Sequence, residues 1–170
     1  MKHLVFALAV AVTCVCAAGE LAAWRGADLS AWTKQPRECR DLAVADGVLK
    51  GTVTGRDSQI YAALPKALPP KGNHVVYIRM RTSLGGEGQL FWIREGDVSA
   101  SEARQRRFGI VGDGAWHDYR IRPSWGGKAA IRRLRLDFPP GFEGGETFEI
   151  SEIRIVEEGA CVDVDTRGKV

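Results

Sequence analysis

Two stretches late in the chain alternate apolar and polar side chains with a period of two. They are residues 116–122 and residues 131–138, and Pro123 with the pair Gly126-Gly127 separates them. Successive side chains of a strand point to opposite faces, so this alternation predicts strands with one buried face. We expect the two stretches to form a hairpin.

The predicted hairpin has one apolar face and one face rich in arginine. The apolar side chains are those of Tyr119, Ile121, Leu134, Leu136 and Phe138. The polar side chains opposite them are those of Asp118, Arg120, Arg122, Arg133, Arg135 and Asp137. We expect the first face to be core and the second to be a polar surface.

The same pattern recurs along most of the chain. Asp46-Gly47 lies between two apolar runs and predicts a second hairpin, and His74–Thr82 is the clearest strand. In residues 147–156 the alternation changes phase, which predicts a bulge near Ser151-Glu152. About nine short strands are predicted, with no helix of ten or more residues. This pattern is typical of an all-β fold, an antiparallel β-sandwich of the jelly-roll kind.

The first 18 residues have the pattern of a secretory signal peptide. Met1-Lys2-His3 is basic, residues 4–15 are apolar, and small residues follow. The apolar run is too short to span a membrane, and a lipid-modified Cys14 or Cys16 is the alternative. We expect one β-sandwich domain over residues 19–163, a polar tail over 164–170, and a secreted, periplasmic or cell-surface location.

Two cysteines remain after the predicted cleavage, Cys39 and Cys161. In an exported chain, one cysteine near each end favours a disulfide. It would close a loop of about 120 residues, worth about 4–5 kcal/mol in the chain-entropy model. The alternative is two unpaired thiols.

Charge and motifs exclude several function classes. The net charge of +3 is too small for a nucleic-acid binder, and export argues against one as well. His74 and His117 have no neighbouring ligands at the spacing of a zinc site. There is no Gly-x-Ser-x-Gly motif and no phosphate-binding loop.

Several segments together resemble the galactose-binding-like or carbohydrate-binding-module β-sandwich domains of secreted bacterial proteins. The resemblance covers about residues 43–156. It rests on Val44-Ala-Asp-Gly-Val-Leu-Lys-Gly, Asp57-Ser-Gln-Ile, Val76-x-Ile-Arg-Met-Arg, Gln89-Leu-Phe-Trp, Gly114-Ala-Trp-His-Asp-Tyr, Ile131-x-x-Leu-Arg-Leu-Asp-Phe and Phe148-Glu-Ile-Ser-Glu-Ile-Arg-Ile.

The resemblance implies glycan binding without catalysis, and a structural calcium ion near the chain ends. The carboxylates available for calcium are those of Asp28, Asp41, Glu149, Glu152 and Glu157. The segment from Trp24 to Trp32 also resembles the start of sugar-hydrolase-like domains with a concanavalin-type sandwich. Those domains continue with Asn-Ser-Gly, where this chain has Ser83-Leu-Gly-Gly.

A small glycoside hydrolase is therefore the first alternative. It would need two carboxylates facing one cleft, about 5–10 Å apart. The candidates are Asp137, Glu146, Glu149 and Glu152. We expect Glu149 and Glu152 instead to form cross-strand salt bridges with nearby arginines. The second alternative is a structural or adhesive envelope protein that binds another protein through an apolar patch.

Aromatic rings and arginines are the candidate ligand-binding groups. Sugar rings stack on aromatic side chains, and the planar guanidinium of arginine suits carboxylate and sulfate. Trp125 lies beside a glycine pair, which favours an exposed stacking platform, whereas Trp92 is expected in the core. The predicted groove, which would favour an acidic glycan, consists of Tyr77, Arg79, Arg81, Trp116, Arg120, Trp125, Arg133 and Arg135.

Overall fold

Strand β10 (Thr147–Glu158) is the centre of the larger of two antiparallel sheets. The computed structural model describes residues 18–141 and 145–159. Along one side β10 pairs with β5, and along the other side it pairs first with β3 and then with β1. This six-stranded sheet, sheet I, contains β1 (Ala18–Arg25), β2 (Cys39–Ala45), β3 (Val48–Val53), β5 (His74–Thr82), β8 (His117–Ile121) and β10.

The second sheet has four strands in the order β4-β9-β6-β7. Sheet II contains β4 (Gln59–Leu68), β6 (Gly86–Arg94), β7 (Gln105–Ile110) and β9 (Ile131–Asp137). A 3-10 helix, Gly26–Thr33, connects β1 to β2 and buries Leu29 and Trp32. It is the one helix in the described part of the chain.

The core lies between the two sheets and is built from alternate residues of their strands. Sheet I contributes Leu49, Val76, Ile78, Met80, Tyr119, Ile121, Phe148, Ile150, Ile153 and Ile155, and sheet II contributes Ile60, Ala62, Leu90, Trp92, Ile131, Leu134 and Leu136. The rings of Phe138 and Phe148 stack between the sheets with centroids 4.1 Å apart. The predicted all-β antiparallel sandwich is confirmed.

The hairpin predicted from residues 116–138 is wrong, although its two strands and its apolar face are correct. Strand β8 pairs with β5 in sheet I, whereas β9 pairs with β4 and β6 in sheet II. The segment between them crosses from one sheet to the other. The alternation identifies which side of each strand is buried, but it carries no information about the strand's neighbour.

Three local predictions agree with the structure. Strands β2 and β3 form the hairpin expected around Asp46-Gly47, where Asp46 has φ of 54° and Gly47 has φ of 74°. Strand β5 has the expected bounds. In β10 the pairing with β5 shifts register between Ile150 and Glu152, so the predicted bulge is confirmed.

Strand β1 pairs with β10 from Ala18 to Arg25. Strand β4 continues to Leu68 through Pro65. Because β4 lies at the edge of sheet II, the missing amide hydrogen of Pro65 is tolerated there.

The predicted disulfide remains a prediction, because Cys161 lies outside the described residues. Cys39 is half-buried, and burial raises the pKa of its thiol to about 11. The predicted signal peptide, apart from Ala18, and the polar tail also lie outside the described residues. No helix in residues 18–141 and 145–159 is long and apolar enough to cross a membrane.

Candidate functional site

The eight residues predicted to bind a ligand do not share one surface. Since the two sheets pack face to face, their outer faces point in opposite directions. Tyr77, Arg79, Arg81, Trp116 and Arg120 are on the outer side of sheet I, Arg133 and Arg135 are on the outer side of sheet II, and Trp125 is buried. The single groove predicted from these eight residues is therefore not formed.

The arginines on the outer side of sheet I are paired with carboxylates. Arg79 binds Asp118 at 2.7 Å, and Arg81 binds Glu149 at 2.9 Å. Glu158 accepts hydrogen bonds from Arg120 and from the Tyr77 hydroxyl, and these bonds lower its pKa to about 2. The positive charge predicted for this face is largely neutralised.

Trp116 is half-buried, and its ring is covered by two guanidinium groups. The guanidinium of Arg81 lies 5.1 Å from the ring centroid, and that of Arg79 lies 5.9 Å from it. A sugar that stacked on this ring would have to displace these cation–π contacts. The outer side of sheet I is a poor stacking surface.

Trp125 is not the exposed platform that its glycine neighbours suggested. Its side chain is 4% exposed, and its ring packs edge-on against Trp92 with centroids 5.3 Å apart. Its indole N–H donates a hydrogen bond to Nδ1 of His74 at 2.7 Å. Trp92 is buried, as predicted. The loop that carries Trp125 folds back into the core because Trp125 finds a polar partner there.

Three rows of side chains cross the outer side of sheet II. Strand pairing places residues of β4, β9 and β6 side by side, in rows about 7 Å apart. The rows are Gln59, Asp137 and Gln89; then Tyr61, Arg135 and Phe91; then Ala63, Arg133 and Ile93. These rows are the floor of the candidate site.

A cleft of about 510 Å³, the first cleft, lies over the rows of Arg135 and Arg133. One wall is residues 35–37, next to β4, where Arg37 and Gln59 form an isolated bridge. The other wall is residues 98–100 of the loop between β6 and β7. Val98 on this wall is 96% exposed, so it offers an apolar surface at the mouth of the cleft.

The wall at residues 98–100 is positioned by the tight start of the β6–β7 loop. Gly96 has φ of 84°, a conformation that favours glycine. The Asp97 carboxylate accepts a hydrogen bond from the Arg94 backbone amide at 2.8 Å and binds Arg104 at 3.0 Å. These contacts close the loop before Val98.

Arg135 is the centre of the floor. Its guanidinium lies 4.3 Å from the centroid of the Phe91 ring and donates two hydrogen bonds to the carboxylate of Asp137. Burial raises the pKa of Asp137, and the hydrogen bonds from Arg135 oppose that shift. The result is a flat, mostly buried surface whose charge is internally balanced.

Arg133 differs from its neighbour in charge pairing. It is half-buried in the first cleft, and it has no hydrogen-bond or ion-pair partner in residues 18–141 and 145–159. An anionic group in the cleft would therefore find a guanidinium whose hydrogen-bond donors are free.

A second cleft of about 340 Å³ continues the site past the row of Asp137. Its floor includes Gln89 and Asp137, and its walls are residues 56–57 on one side and residues 85–87 on the other. It ends at residues 138–140. The two clefts lie on the same face, with the Gln59, Asp137 and Gln89 row between them.

Most of this floor was not predicted from the sequence. Arg133 and Arg135 were expected on the polar surface, but Gln59, Tyr61 and Phe91 were not expected to belong to a site. The sequence does place Gln59, Tyr61 and Ala63 at alternate positions, so they could have been assigned to one face of a strand. Phe91 has the character of a core residue in the sequence and is in fact buried, under Arg135.

The carboxylates considered for hydrolysis and for calcium binding are distributed over the molecule. Glu149 binds Arg81, and Glu152 binds Arg25 and Arg154, so the expected salt bridges are confirmed. In the described residues, no three acidic, histidine or cysteine side chains converge to hold a metal ion. The calcium ion implied by the resemblance stays a prediction.

Comparison with known proteins defines the class of fold. No protein-family model matches the chain, and no curated protein matches it in sequence. Solved structures do match, and they show that the chain has the β-sandwich fold of carbohydrate-binding modules.

Three of these structures illustrate the similarity. A low-affinity xylan-binding module of family 86 from Roseburia intestinalis is 18% identical, with a TM-score of 0.56, and the match covers 86% of this chain and 97% of that one. A family 29 module from Piromyces equi is 11% identical, with a TM-score of 0.53 and coverage of 82% and 90%. A family 29 module complexed with cellulohexaose is 12% identical, with a TM-score of 0.56 and coverage of 84% and 91%.

Proposed function

We propose that this protein is exported and binds a glycan, without chemical turnover, in the two clefts on the outer side of sheet II. The observation that carries the proposal is the first cleft. It is open, it is floored by Tyr61 and by Arg135 over Phe91, and it contains the unpaired Arg133. The sequence of residues 1–18 supports export.

The lining of the first cleft suits a sugar. Sugar rings have apolar C–H faces and a rim of hydroxyl groups, so they need flat apolar surfaces beside hydrogen-bonding groups. Tyr61 and Val98 supply the apolar surface, and Gln35 and Ser99 supply the hydrogen-bonding groups. Two similar modules, one that binds xylan and one complexed with cellulohexaose, support the same class of ligand.

Arg133 favours a glycan that carries an acidic group. Its guanidinium is half-buried, and charge-assisted hydrogen bonds to a carboxylate or sulfate are stronger than neutral ones. The arginines of sheet I are less suited to this role because they already bind carboxylates.

A hydrolase on this site is the weaker interpretation. Asp57 and Asp137 both line the second cleft, and Arg135 lies within 4 Å of each. Both oxygens of Asp137 accept hydrogen bonds from Arg135, and Asp57 accepts one from Gln59 at 2.9 Å. Because both oxygens of Asp137 are occupied by Arg135, neither is free to donate a proton to a glycosidic oxygen or to activate a water.

A protein-binding adhesive is also less well supported. Its partner surface would be a broad exposed apolar patch. In the described residues, the exposed large apolar side chains are Val98 and Val111.

A glycan array followed by titration calorimetry tests the proposal. The purified protein should bind at least one polysaccharide or long oligosaccharide, and Tyr61→Ala should weaken that binding about five- to tenfold, since lost ring stacking costs on the order of 1–1.5 kcal/mol. Arg133→Gln should weaken binding to uronate-bearing glycans. Arg122→Gln, on the other side of the sandwich, is the matched control.

Two results would contradict the proposal. The first is an array with no bound glycan at any concentration tested. The second is binding that is lost in Arg79→Gln and retained in Arg133→Gln and Tyr61→Ala, because that result would place the site on sheet I. Release of reducing sugar that Asp57→Asn abolishes would favour the hydrolase.

A further inference from the structure

The two clefts on sheet II carry opposite charge. The first is lined by Arg37, Arg133 and Arg135 and by no acidic residue. The second is lined by Asp57, Glu87 and Asp137, with Arg56 as its one basic residue. Charge of opposite sign at the two ends of one binding surface discriminates between ligands by where they carry charge.

The pairing of these charged groups leaves one unpaired cation in the first cleft. Arg37 binds Asp57 at 3.0 Å and Arg135 binds Asp137, so Arg133 is the cation available to a ligand. In the second cleft Glu87 binds Arg107 at 3.0 Å, and Arg56, the one basic residue of its lining, also has a partner. A ligand anion above Gln89 would therefore lie near three carboxylates and would find no unpaired cation among the described residues beside it.

The geometry points to an internal segment of a linear glycan that carries an acidic group on one sugar and neutral sugars beside it. This inference rests on the proposed function and names its substrate class. The acidic group lies at Arg133 in the first cleft, and the neutral sugars extend over the row of Gln59, Asp137 and Gln89 into the second. A chain with a carboxylate on every sugar is disfavoured because its carboxylates over the second cleft would lose water and find no unpaired cation in the lining there.

The side chains between the clefts fit neutral sugars. The Tyr61 hydroxyl donates to Gln59 Oε1, and Gln59 Nε2 donates to the backbone carbonyl and the side chain of Asp57 at 3.2 and 2.9 Å. Gln59 is buried and Gln89 is half-buried. Gln89 is therefore the amide of this row that can exchange hydrogen bonds with sugar hydroxyls, whereas Gln59 and Asp137 are bonded to protein groups.

Titration calorimetry with three hexasaccharide-length probes tests this inference. The probes are xylohexaose, a xylo-oligosaccharide with a single glucuronate branch, and hexagalacturonate. The singly charged probe should bind about tenfold more tightly than xylohexaose, which corresponds to one charge-assisted contact. Hexagalacturonate should bind more weakly than the singly charged probe, and more so at low salt.

Two variants assign the effects to the two clefts. Arg133→Gln should reduce the preference for the singly charged probe over xylohexaose to about twofold or less, since the cation that supplies it is gone. Glu87→Gln should strengthen hexagalacturonate binding severalfold and leave xylohexaose binding unchanged. Arg122→Gln is the matched control and should change none of the three affinities.

The inference is overturned if hexagalacturonate binds as tightly as the singly charged probe, or if that probe binds no more tightly than xylohexaose. It is also overturned if the singly charged probe is not bound while another glycan is. If no glycan binds at all, the proposed function fails together with this inference.

Discussion

Trp125 and His74 are joined by a buried hydrogen bond from the indole Nε1 to the imidazole Nδ1, 2.7 Å long. Each of the two side chains is 4% exposed. Because Nδ1 accepts, the imidazole is neutral and carries its proton on Nε2. Trp92 extends the chain of contacts, since its Nε1 donates to the Trp125 carbonyl at 3.0 Å.

The stability of the protein should fall in mild acid because of His74. Burial lowers the pKa of its imidazole below the usual value, so between the folded and unfolded pKa values the unfolded chain binds more protons. The free energy of unfolding therefore decreases as pH falls through about 6.5, the unfolded value, and levels off below the folded pKa. A protonated Nδ1 would also lose the bond from Trp125.

Thermal unfolding of wild type and His74→Gln at pH 7.5 and at pH 5 measures this effect. Gln at position 74 offers an acceptor that does not titrate in this range, so the variant should lose less stability than wild type on acidification. His117→Gln, at a half-buried site on β8, should keep the wild-type fall. Equal falls in wild type and His74→Gln would rule out His74 as the source.

Trp125→Phe should destabilise the protein more than Trp116→Phe. The first change leaves the Nδ1 atom of buried His74 without its donor, which costs about 1–3 kcal/mol. The second weakens only contacts with Arg79 and Arg81 at a half-exposed site, worth about 0.5–1 kcal/mol. Urea unfolding of both variants measures the difference. Equal losses would show that the bond to His74 contributes nothing to stability.

Several strands were predictable because each has its own local pattern. Strand β5, the β2–β3 hairpin and the bulge in β10 all follow from alternation or from a turn dipeptide. Such signals are local. Strands β8 and β9 belong to different sheets because of their contacts with strands that are distant in the sequence. Their own residues do not indicate which strands they pair with.

The candidate site was predictable only in part, for the same reason. Arg133 and Arg135 were correctly placed on an outer face, but the face was combined with that of β5, which belongs to the other sheet. Which arginines keep a free charge depends on the partner strand. Arg79 on β5 faces Asp118 on the neighbouring strand β8. Arg133 on β9 faces Ala63 on β4 and Ile93 on β6, neither of which is charged.

Gly51→Ala should destabilise the protein by about 1–3 kcal/mol, the usual cost of overpacking. A Cβ atom on Gly51 would lie 2.6 Å from Cζ of Phe148. The Phe148 ring cannot move away easily because it is buried and stacks on Phe138. Gly109→Ala on β7 is the control, since a Cβ atom there would meet no neighbouring side chain or strand within 4 Å. A Gly51→Ala variant as stable as Gly109→Ala would show that the ring shifts at no cost.

Arg135 and Asp137 should show strong energetic coupling in a double-mutant cycle. Their side chains are 16% and 10% exposed, and Arg135 donates two hydrogen bonds to the carboxylate. Removing either partner, in Arg135→Leu or Asp137→Leu, leaves a poorly solvated charge and should cost about 2–4 kcal/mol. The double variant leaves neither charge, so its loss should be smaller than the sum by about 1–3 kcal/mol.

The exposed pair Arg79 and Asp118 provides the matched cycle. Its side chains are 46% and 68% exposed, and its N–O distance is 2.7 Å. Solvent screening should limit its coupling energy to about 0.2–1 kcal/mol. Urea unfolding at two salt concentrations measures both cycles, and added salt should weaken the exposed pair more than the buried one. If the two coupling energies are equal, then Arg135 is not held by Asp137, and its flat arrangement over Phe91 must arise from ring contact alone.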